Sequence, residues 1–226
     1  LTLNGAGGTA TGIMLSSGGA LGATIGGGAS QLASGNYIVG GVSSSFVASG
    51  NSASGVVINS RGFLNISSGG VARATLISSG GNEYIRSSGT DISATINAGG
   101  YQYVSSGGVA SATQINTGGT QQIYSGGFAS GAQINSGGTQ SLGSGATTSG
   151  TQINSSGTQS VRSGAVAYGA GVKSGGTQNL FAGGTASENA ISNGGTQAVY
   201  SGGLAVGTIV NSGGLLTLNG AGGSAT

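Results

Sequence analysis

The sequence predicts an all-β fold, a single-stranded parallel β-helix (β-solenoid) of about eleven 19-residue coils. Three observations predict it: a 19-residue repeat, two rows of aliphatic residues at fixed places in that repeat, and Gly pairs between them. A helical solenoid would need longer amphipathic segments of good helix formers, which short Gly-rich units cannot supply. The remaining solution is to stack each coil on the next in parallel strands about 4.8 Å apart.

The repeat is regular over residues 44–214, which hold nine consecutive units without an insertion. The unit at residues 120–138 reads TQQIYSGGFASGAQINSGG, and positions within a coil are numbered here from Thr120 as position 1. Two short strand-like runs alternate with two corners, such as Gly126–Gly127 and Gly137–Gly138. Gly adopts positive φ without a Cβ clash, so the chain is predicted to turn sharply at each pair.

Three ladders of side chains, together with a row of small residues, are predicted to fill the interior. Position 4 holds Val47, Ile66, Ile85, Val104, Ile123, Leu142, Val161, Leu180, Val199 and Leu218. Position 15 holds Ile58, Ile77, Ile96, Ile115, Ile134 and Ile153, and position 10 is mostly Ala. Position 2 holds Gln102, Gln121, Gln140, Gln159, Gln178 and Gln197. Alternation places the Gln row on the same side as position 4, and stacked amides can hydrogen-bond along the axis.

The ends of the chain are less regular than its middle. We expect residues 1–43 to form irregular first coils with small insertions, residues 44–214 to form nine regular coils, and residues 215–226 to begin a further coil of the same continuous domain. The segment LTLNGAGGTAT at residues 1–11 returns as LTLNGAGGSAT at residues 216–226, and each copy holds one extra Ala, at Ala6 and Ala221. Both ends are Leu-rich and lack a polar cap, so we expect a fragment of a longer protein.

Composition excludes several classes of function. The chain has 53 Gly, no Pro, no Cys, no His and only 4% charged residues. Five Lys and Arg against three Asp and Glu form no basic cluster, so nucleic-acid binding is not expected. The lack of Cys and His removes the usual thiolate and imidazole metal ligands. No apolar run approaches the roughly 20 residues of a membrane helix, so we expect no membrane insertion of this segment.

The few charged residues predict no catalytic, cofactor-binding or metal site. Glu83 falls at position 2, Asp91 at position 10 of the same coil, and Glu188 at position 12 of a coil five further on. They cannot form one cluster, and two acids are too few for a calcium cage. Arg86 and Arg162 share a column four coils apart, and we interpret them as solvated surface cations.

Outward side chains offer a candidate contact surface for sugars or partner proteins. Its aromatic members are Tyr84, Tyr103, Tyr124 and Tyr200, and its hydroxyl members form a row at Thr120, Thr139, Thr158, Thr177 and Thr196. A Thr row also suggests ice binding. That function normally uses two parallel Thr rows, and the neighbouring outward column holds Gln122, Ser141, Ser160, Asn179 and Ala198 instead.

The unit GGTQQIYSGGFASGAQINSGG resembles the 19-residue repeat of AIDA-type self-associating autotransporter adhesins of Gram-negative bacteria. The resemblance implies a right-handed passenger β-helix at the cell surface or outside the cell, which acts in aggregation, adhesion and biofilm formation. It also implies self-association, contact with host or matrix glycans or proteins, and a glycosyltransferase that modifies Ser and Thr beside the corners. Two other hypotheses are the repeating segment of a long extracellular filament and a polysaccharide-active β-helix enzyme.

Overall fold

The computed structural model describes residues 22–25, 37–39, 45–49, 52–58, 62–67, 69–78 and 80–226, with side chains described from residue 54 onward. Over these ranges the fold is a parallel β-solenoid without a helix, which confirms the predicted fold class. Each regular coil contributes one strand to each of three parallel sheets, which are numbered here by the order of their strands within a coil that begins at position 1.

The first sheet is the broadest, because most of its strands have four or five residues. Eleven strands form it within the described ranges: Gly22–Ile25, Ser45–Ser49, Phe63–Ser67, Asn82–Ile85, Tyr101–Val104, Thr120–Ile123, Thr139–Leu142, Thr158–Val161, Thr177–Leu180, Thr196–Tyr200 and Leu215–Asn219.

The second and third sheets are narrower, with two or three residues in each strand. Ten described strands form the second sheet: Ser52–Ser54, Val71–Arg73, Thr90–Ile92, Val109–Ser111, Phe128–Ser130, Thr147–Ser149, Val166–Tyr168, Thr185–Ser187, Leu204–Val206 and Ser224–Ala225. Ten form the third: Tyr37–Val39, Val56–Ile58, Leu76–Ile77, Thr95–Ile96, Gln114–Ile115, Gln133–Ile134, Gln152–Ile153, Gly171–Val172, Ala190–Ile191 and Ile209–Val210.

Each coil has three strands and three bends, where the sequence indicated two strand-like runs and two corners. The third bend falls at position 12, which splits the second run. Its residue has positive φ, for example 52° at Ala74, 60° at Gly131 and 54° at Glu188. Left-handed backbone is normally signalled by Gly. Because Ala, Ser and Glu also occupy this position, the pattern of Gly residues did not reveal it.

The strand register follows the 19-residue repeat from residue 63 to residue 210, as in the pair Tyr101 and Thr120. One predicted ladder member is wrong: the structure pairs Val47 with Asn65 and places Ala48 beside Ile66. Five residues separate Val39 from Ser45, whereas four separate Ile58 from Phe63, and this extra residue shifts the register by one. A shift by one residue exchanges the two faces of a strand.

The two ends of the described solenoid depart from the repeat in spacing. Gly22 pairs with Ser45, which is a longer spacing than the regular period, and the predicted insertions before residue 44 otherwise lie outside the described residues. Near the other end, Leu204 pairs with Ser224, one residue beyond the regular period, as the extra Ala221 requires. The predicted ladder member Leu218 pairs with Val199 and is 55% exposed, because no described coil stacks on it.

The core is a narrow column inside the three sheets. Position 4 and position 15 bury their aliphatic side chains completely from Ile66 and Ile58 onward, up to Val199 and Ile191. Position 10 adds small residues such as Ala110. A fourth row at position 13, which sequence analysis did not identify, alternates Ala and Thr in most coils, as at Ala132 and Thr151.

Close stacking of coils explains the second Gly of a corner pair. A Cβ on Gly127 would lie 2.5 Å from the carbonyl oxygen of Val104 in the preceding coil, and one on Gly138 would lie 2.3 Å from that of Ile115. Both distances are much shorter than a normal van der Waals contact, so a Cβ at either place would clash. The corners therefore hold each coil close to its neighbour, and the outward side chains stand in straight rows.

Candidate functional surfaces

An amide ladder runs along the interior of the first sheet. Each Gln of position 2 donates from Nε2 to Oε1 of the Gln one coil earlier, at 2.6–2.7 Å, from Gln121 through Gln197. All members are fully buried. A buried amide without partners would be costly, so this ladder ties neighbouring coils together and excludes a ligand from the interior along its length.

A second, half-buried amide ladder follows the corner after the third sheet. Asn116 donates to Asn97 at 2.9 Å, Asn135 to Asn116 at 2.8 Å, and Asn154 to Asn135 at 2.9 Å. Its donors and acceptors are used mainly within the ladder. This row therefore stiffens the corner.

The interior ladder begins on two buried carboxyl groups. Gln102 Nε2 donates to Glu83 Oε2 at 2.7 Å and to Asp91 Oδ2 at 2.8 Å. Glu83 and Asp91 are fully buried and lie across the interior from each other, on the first and second sheets. Sequence analysis placed both acids in one coil but did not foresee that they meet inside it. Glu188 lies far away on an exposed bend.

The environment of this pair favours the protonated form. Burial raises the pKa of Glu83 above its usual 4.5, and burial together with the charge of Glu83 raises the pKa of Asp91 well above 3.8. Glu83 Oε1, Asp91 Oδ1 and the nearby Thr75 Oγ1 have no hydrogen-bond partner among the described residues. Two carboxylates at this distance from one amide nitrogen cannot both ionise without a large cost. The pair therefore retains a proton to higher pH than solvent-exposed carboxyl groups do.

Aromatic rings form a cluster on the outward face of the first sheet. Tyr84 and Tyr103 stack with centroids 5.0 Å apart, and Tyr103 also stacks with Tyr101 at 6.0 Å and with Tyr124 at 6.2 Å. Phe63 meets Tyr84 edge-on at 6.4 Å. Because Tyr84 and Tyr103 cover each other's faces, the stack stabilises the sheet and leaves mainly ring edges for a partner.

Sequence analysis missed two members of this cluster, Phe63 and Tyr101. Both occupy position 1, two residues before position 3, so strand alternation places them on the same outward face. The prediction named only the Tyr residues of positions 3 and 5. Position 1 holds the predicted Thr row from Thr120 to Thr196, whose members are half-exposed.

Each exposed Arg in the position 5 column lies over an aromatic ring. The guanidinium carbon of Arg86 is 4.8 Å from the ring centroid of Tyr84, and that of Arg162 is 5.9 Å from Phe181. Phe181 in turn stacks on Tyr200 with centroids 5.1 Å apart. These are cation–π contacts, so the two cations are held by packing as well as solvated. Arg162, Phe181 and Tyr200 form a second, separate stack.

The second sheet also carries exposed aromatic residues, among them Tyr168. Tyr168 donates a hydrogen bond from its hydroxyl to the Glu188 carboxylate one coil later. That hydrogen bond and the Glu188 charge raise the pKa of Tyr168 above 10.0. Glu188 is therefore occupied by this hydrogen bond. The other two acids of the chain, Glu83 and Asp91, lie five coils away.

The parts of the chain that the structure describes contain neither a candidate metal site nor a candidate membrane-spanning helix. In these parts no group of three or more His, Cys, Asp and Glu residues lies close enough to hold a metal ion. Among the same residues, no helix is long and apolar enough to cross a membrane.

Comparison with known proteins gives two findings and one negative result. A family model described as an adhesin of the bacterial autotransporter system, probable stalk, matches residues 41–100 and 97–157. A solved structure of a hyper-glycosylated TibA55-350 fragment, modified by TibC, is 31% identical and has a TM-score of 0.75. That similarity covers 100% of this chain and 94% of the fragment. Comparison with curated protein sequences gives no significant match.

Proposed function

The chain belongs to the family of bacterial autotransporter adhesin stalks, and on this premise we propose that its first-sheet face mediates self-association of the cells that display it. Membership of the family places the chain in a surface adhesin, at the bacterial cell surface or outside the cell. The finer proposal concerns which surface of the solenoid makes the contacts and what chemistry it uses.

The observation that supports this proposal is the low charge of a straight, rigid surface. The exposed charged side chains of the described residues are Arg73, Arg86, Arg162, Lys173 and Glu188. The first-sheet face presents rows of Thr, Gln, Ser and Asn together with the Tyr cluster. The described charges on this face are Arg86 and Arg162, which lie four coils apart, so the hydrogen-bonding rows meet a second copy with little like-charge repulsion. Many repeated weak contacts then add up to strong avidity.

Display on non-aggregating cells tests this proposal. We expect cells that display the chain to clump and to settle. The variant Thr120→Glu, Thr158→Glu, Thr196→Glu should remain dispersed, because each added carboxylate would lose its hydration in the contact between two faces. The matched control Gln114→Glu, Gln133→Glu, Gln152→Glu adds the same charge to the outward side of the third sheet and should clump as the parent does. Equal clumping of the two variants, or no clumping of the parent, would refute the proposal.

We also propose that a glycosyltransferase modifies Ser residues at the corners. The TibA fragment is hyper-glycosylated by TibC, which supports this proposal for a chain of the same fold. Exposed corner hydroxyls recur from coil to coil, as at Ser106, Ser125, Ser144 and Ser163. Coexpression with such a transferase should add mass in whole sugar units, as measured on the intact protein. An unchanged mass would contradict this proposal.

We propose that the role of the chain is not enzymatic. The described acids support this, because Glu83 and Asp91 are sealed in the interior and Glu188 is engaged by Tyr168. A surface that hydrolyses or eliminates a glycosidic bond needs accessible acid and base groups. Measurable turnover of pectin or alginate that is lost in Glu188→Gln would overturn this proposal.

A further inference from the structure

The position 5 column on the outward side of the first sheet has one missing side chain. In successive coils it holds Tyr124, Gly143, Arg162, Phe181 and Tyr200. Arg162, Phe181 and Tyr200 stack on one another along the axis. Tyr124 is stacked on Tyr103 from the preceding coil. Between these two stacks, at Gly143, nothing continues the column.

This gap is a notch of about 250 Å³. Its walls are Tyr124 and Arg162, and its floor and side are formed by Gln122, Ile123, Ser141 and Gly143. The floor backbone is fully hydrogen-bonded, since Gly143 donates to Ile123 at 2.8 Å and accepts from Ala146 at 3.0 Å. The notch is therefore a formed feature of the surface. On its rim the Tyr124 hydroxyl donates to Gln122 Oε1, which leaves the Gln122 Nε2 group and the Ser141 hydroxyl available to a ligand.

The fold does not require Gly at this place. Gly143 has no left-handed φ, and a Cβ there would lie 3.5 Å from the Ile123 oxygen and 3.9 Å from Tyr124 Cδ1, which is ordinary contact. Corner residues such as Gly127 differ, because a Cβ on Gly127 would lie 2.5 Å from a carbonyl oxygen. The notch exists because one side chain is absent, and a larger residue would fill it without moving the backbone.

The width of the notch fits one ring. Tyr124 and Arg162 are two coils apart, or about 9.6 Å at the usual strand spacing. A ring between them needs a contact of about 3.5–4.0 Å on each side, and the rest of the width accommodates the puckered shape of a sugar ring. Two stacked rings would not fit.

The chemistry of the walls selects an acidic sugar. The Tyr124 ring is 45% exposed and offers an apolar face to the C–H groups of a pyranose. The Arg162 guanidinium offers paired donors that match a carboxylate. Gln122 Nε2 supplies a donor, and the Ser141 hydroxyl supplies a donor and an acceptor, for ring hydroxyls. From these features we propose that the notch at Gly143 binds a hexuronate residue of an acidic polysaccharide, with its ring on Tyr124 and its carboxylate on Arg162.

This site is independent of self-association, because a single isolated copy of the chain contains all of it. The test is titration of the purified chain with a galacturonate oligosaccharide and with its neutral galactose counterpart, followed by calorimetry and by the NMR signals of the Tyr rings. We expect the acidic oligosaccharide to bind at least about tenfold more tightly than the neutral one, as a charge-assisted pair requires.

Matched variants assign the binding to the notch. Gly143→Tyr should abolish binding while circular dichroism stays unchanged, and Gly143→Ala should keep most of it. Arg162→Gln should remove the preference for the acidic ligand, whereas Arg86→Gln, which alters the other Arg that lies over a ring, should have no effect. Equal binding by Gly143→Tyr and the parent, equal affinity for the two oligosaccharides, or no binding at millimolar ligand would each overturn the proposal. If Gly143→Tyr fails to fold, the comparison of the two Arg variants decides.

Discussion

The buried carboxyl pair predicts that stability changes with pH in an unusual direction. In the folded protein, burial raises the pKa of Glu83 and, with the Glu83 charge, that of Asp91. The unfolded chain releases these protons at ordinary values, so between the unfolded and folded pKa values the folded state binds more protons. The stability contributed by the pair is complete below the unfolded values and decreases as pH rises through the folded ones. Surface carboxylates that pair with cations usually give the opposite trend, in which stability increases with pH.

The magnitude follows from linkage. For each extra proton that the folded state binds, the free energy of unfolding decreases by about 1.4 kcal/mol for every unit by which the pH rises in this window. Glu83→Gln removes one of the two carboxyls, and its new amide can donate to Asp91 while still accepting from Gln102. We therefore expect this variant to be more stable than the parent at pH 8 and to show a weaker dependence on pH.

Hydrogen exchange measured from pH 4 to pH 8 gives the assay. Because solenoids open coil by coil, the protection of amides in residues 82–92 is compared with that in residues 158–168, which provide an internal reference. A complementary variant, Gln121→Glu, adds a buried carboxyl opposite the Gln102 oxygen. It should cause the same loss of amide protection at high pH around its own coil. Protection around Glu83 that is independent of pH, or that increases with pH, would refute the reasoning.

Three further substitutions and one control, Gly143→Ala, test how coils are held together, each followed by urea unfolding. Gln140→Leu breaks the amide ladder and leaves two buried groups unpaired, at a cost of about 1–3 kcal/mol each; no loss would contradict the ladder. Gly127→Ala should cost about 1–3 kcal/mol through overpacking, whereas Gly143→Ala should be nearly neutral, and equal effects would contradict the stacking geometry. Tyr103→Leu should lower the free energy of unfolding by about 0.5–1.5 kcal/mol for each ring pair. An unchanged unfolding midpoint would show that the stack does not stabilise the fold.

The interior rows were predictable because two physical periods coincide in this sequence. Side chains alternate within a strand, and the coil returns with the 19-residue repeat, so Gln121 and Ile123 necessarily point the same way in each coil. Arrangements that depend on bends were less predictable. The bend at position 12 uses Ala74 and Glu188 as readily as Gly131, so the sequence did not show where the chain passes from the second sheet to the third.

Two other features, the register of Val47 and the notch at Gly143, were not predicted from the sequence. The register of Val47 depends on one extra residue between strands, which the aliphatic pattern alone cannot locate because Ala48 also fits beside Ile66. Gly143 was not identified from the sequence because most Gly residues there mark corners. It differs from them in its place at position 5, in its φ and in the open space around it.

The central claim is that this solenoid acts through contacts between copies of its own outward face. Mixing cells that display the chain with differently labelled cells that do not, followed by microscopy of the clumps, tests that claim most directly. The account predicts clumps made of displaying cells alone, and dispersed cells when the chain carries Thr120→Glu, Thr158→Glu and Thr196→Glu. Clumps that contain both cell types in proportion to their numbers would contradict it.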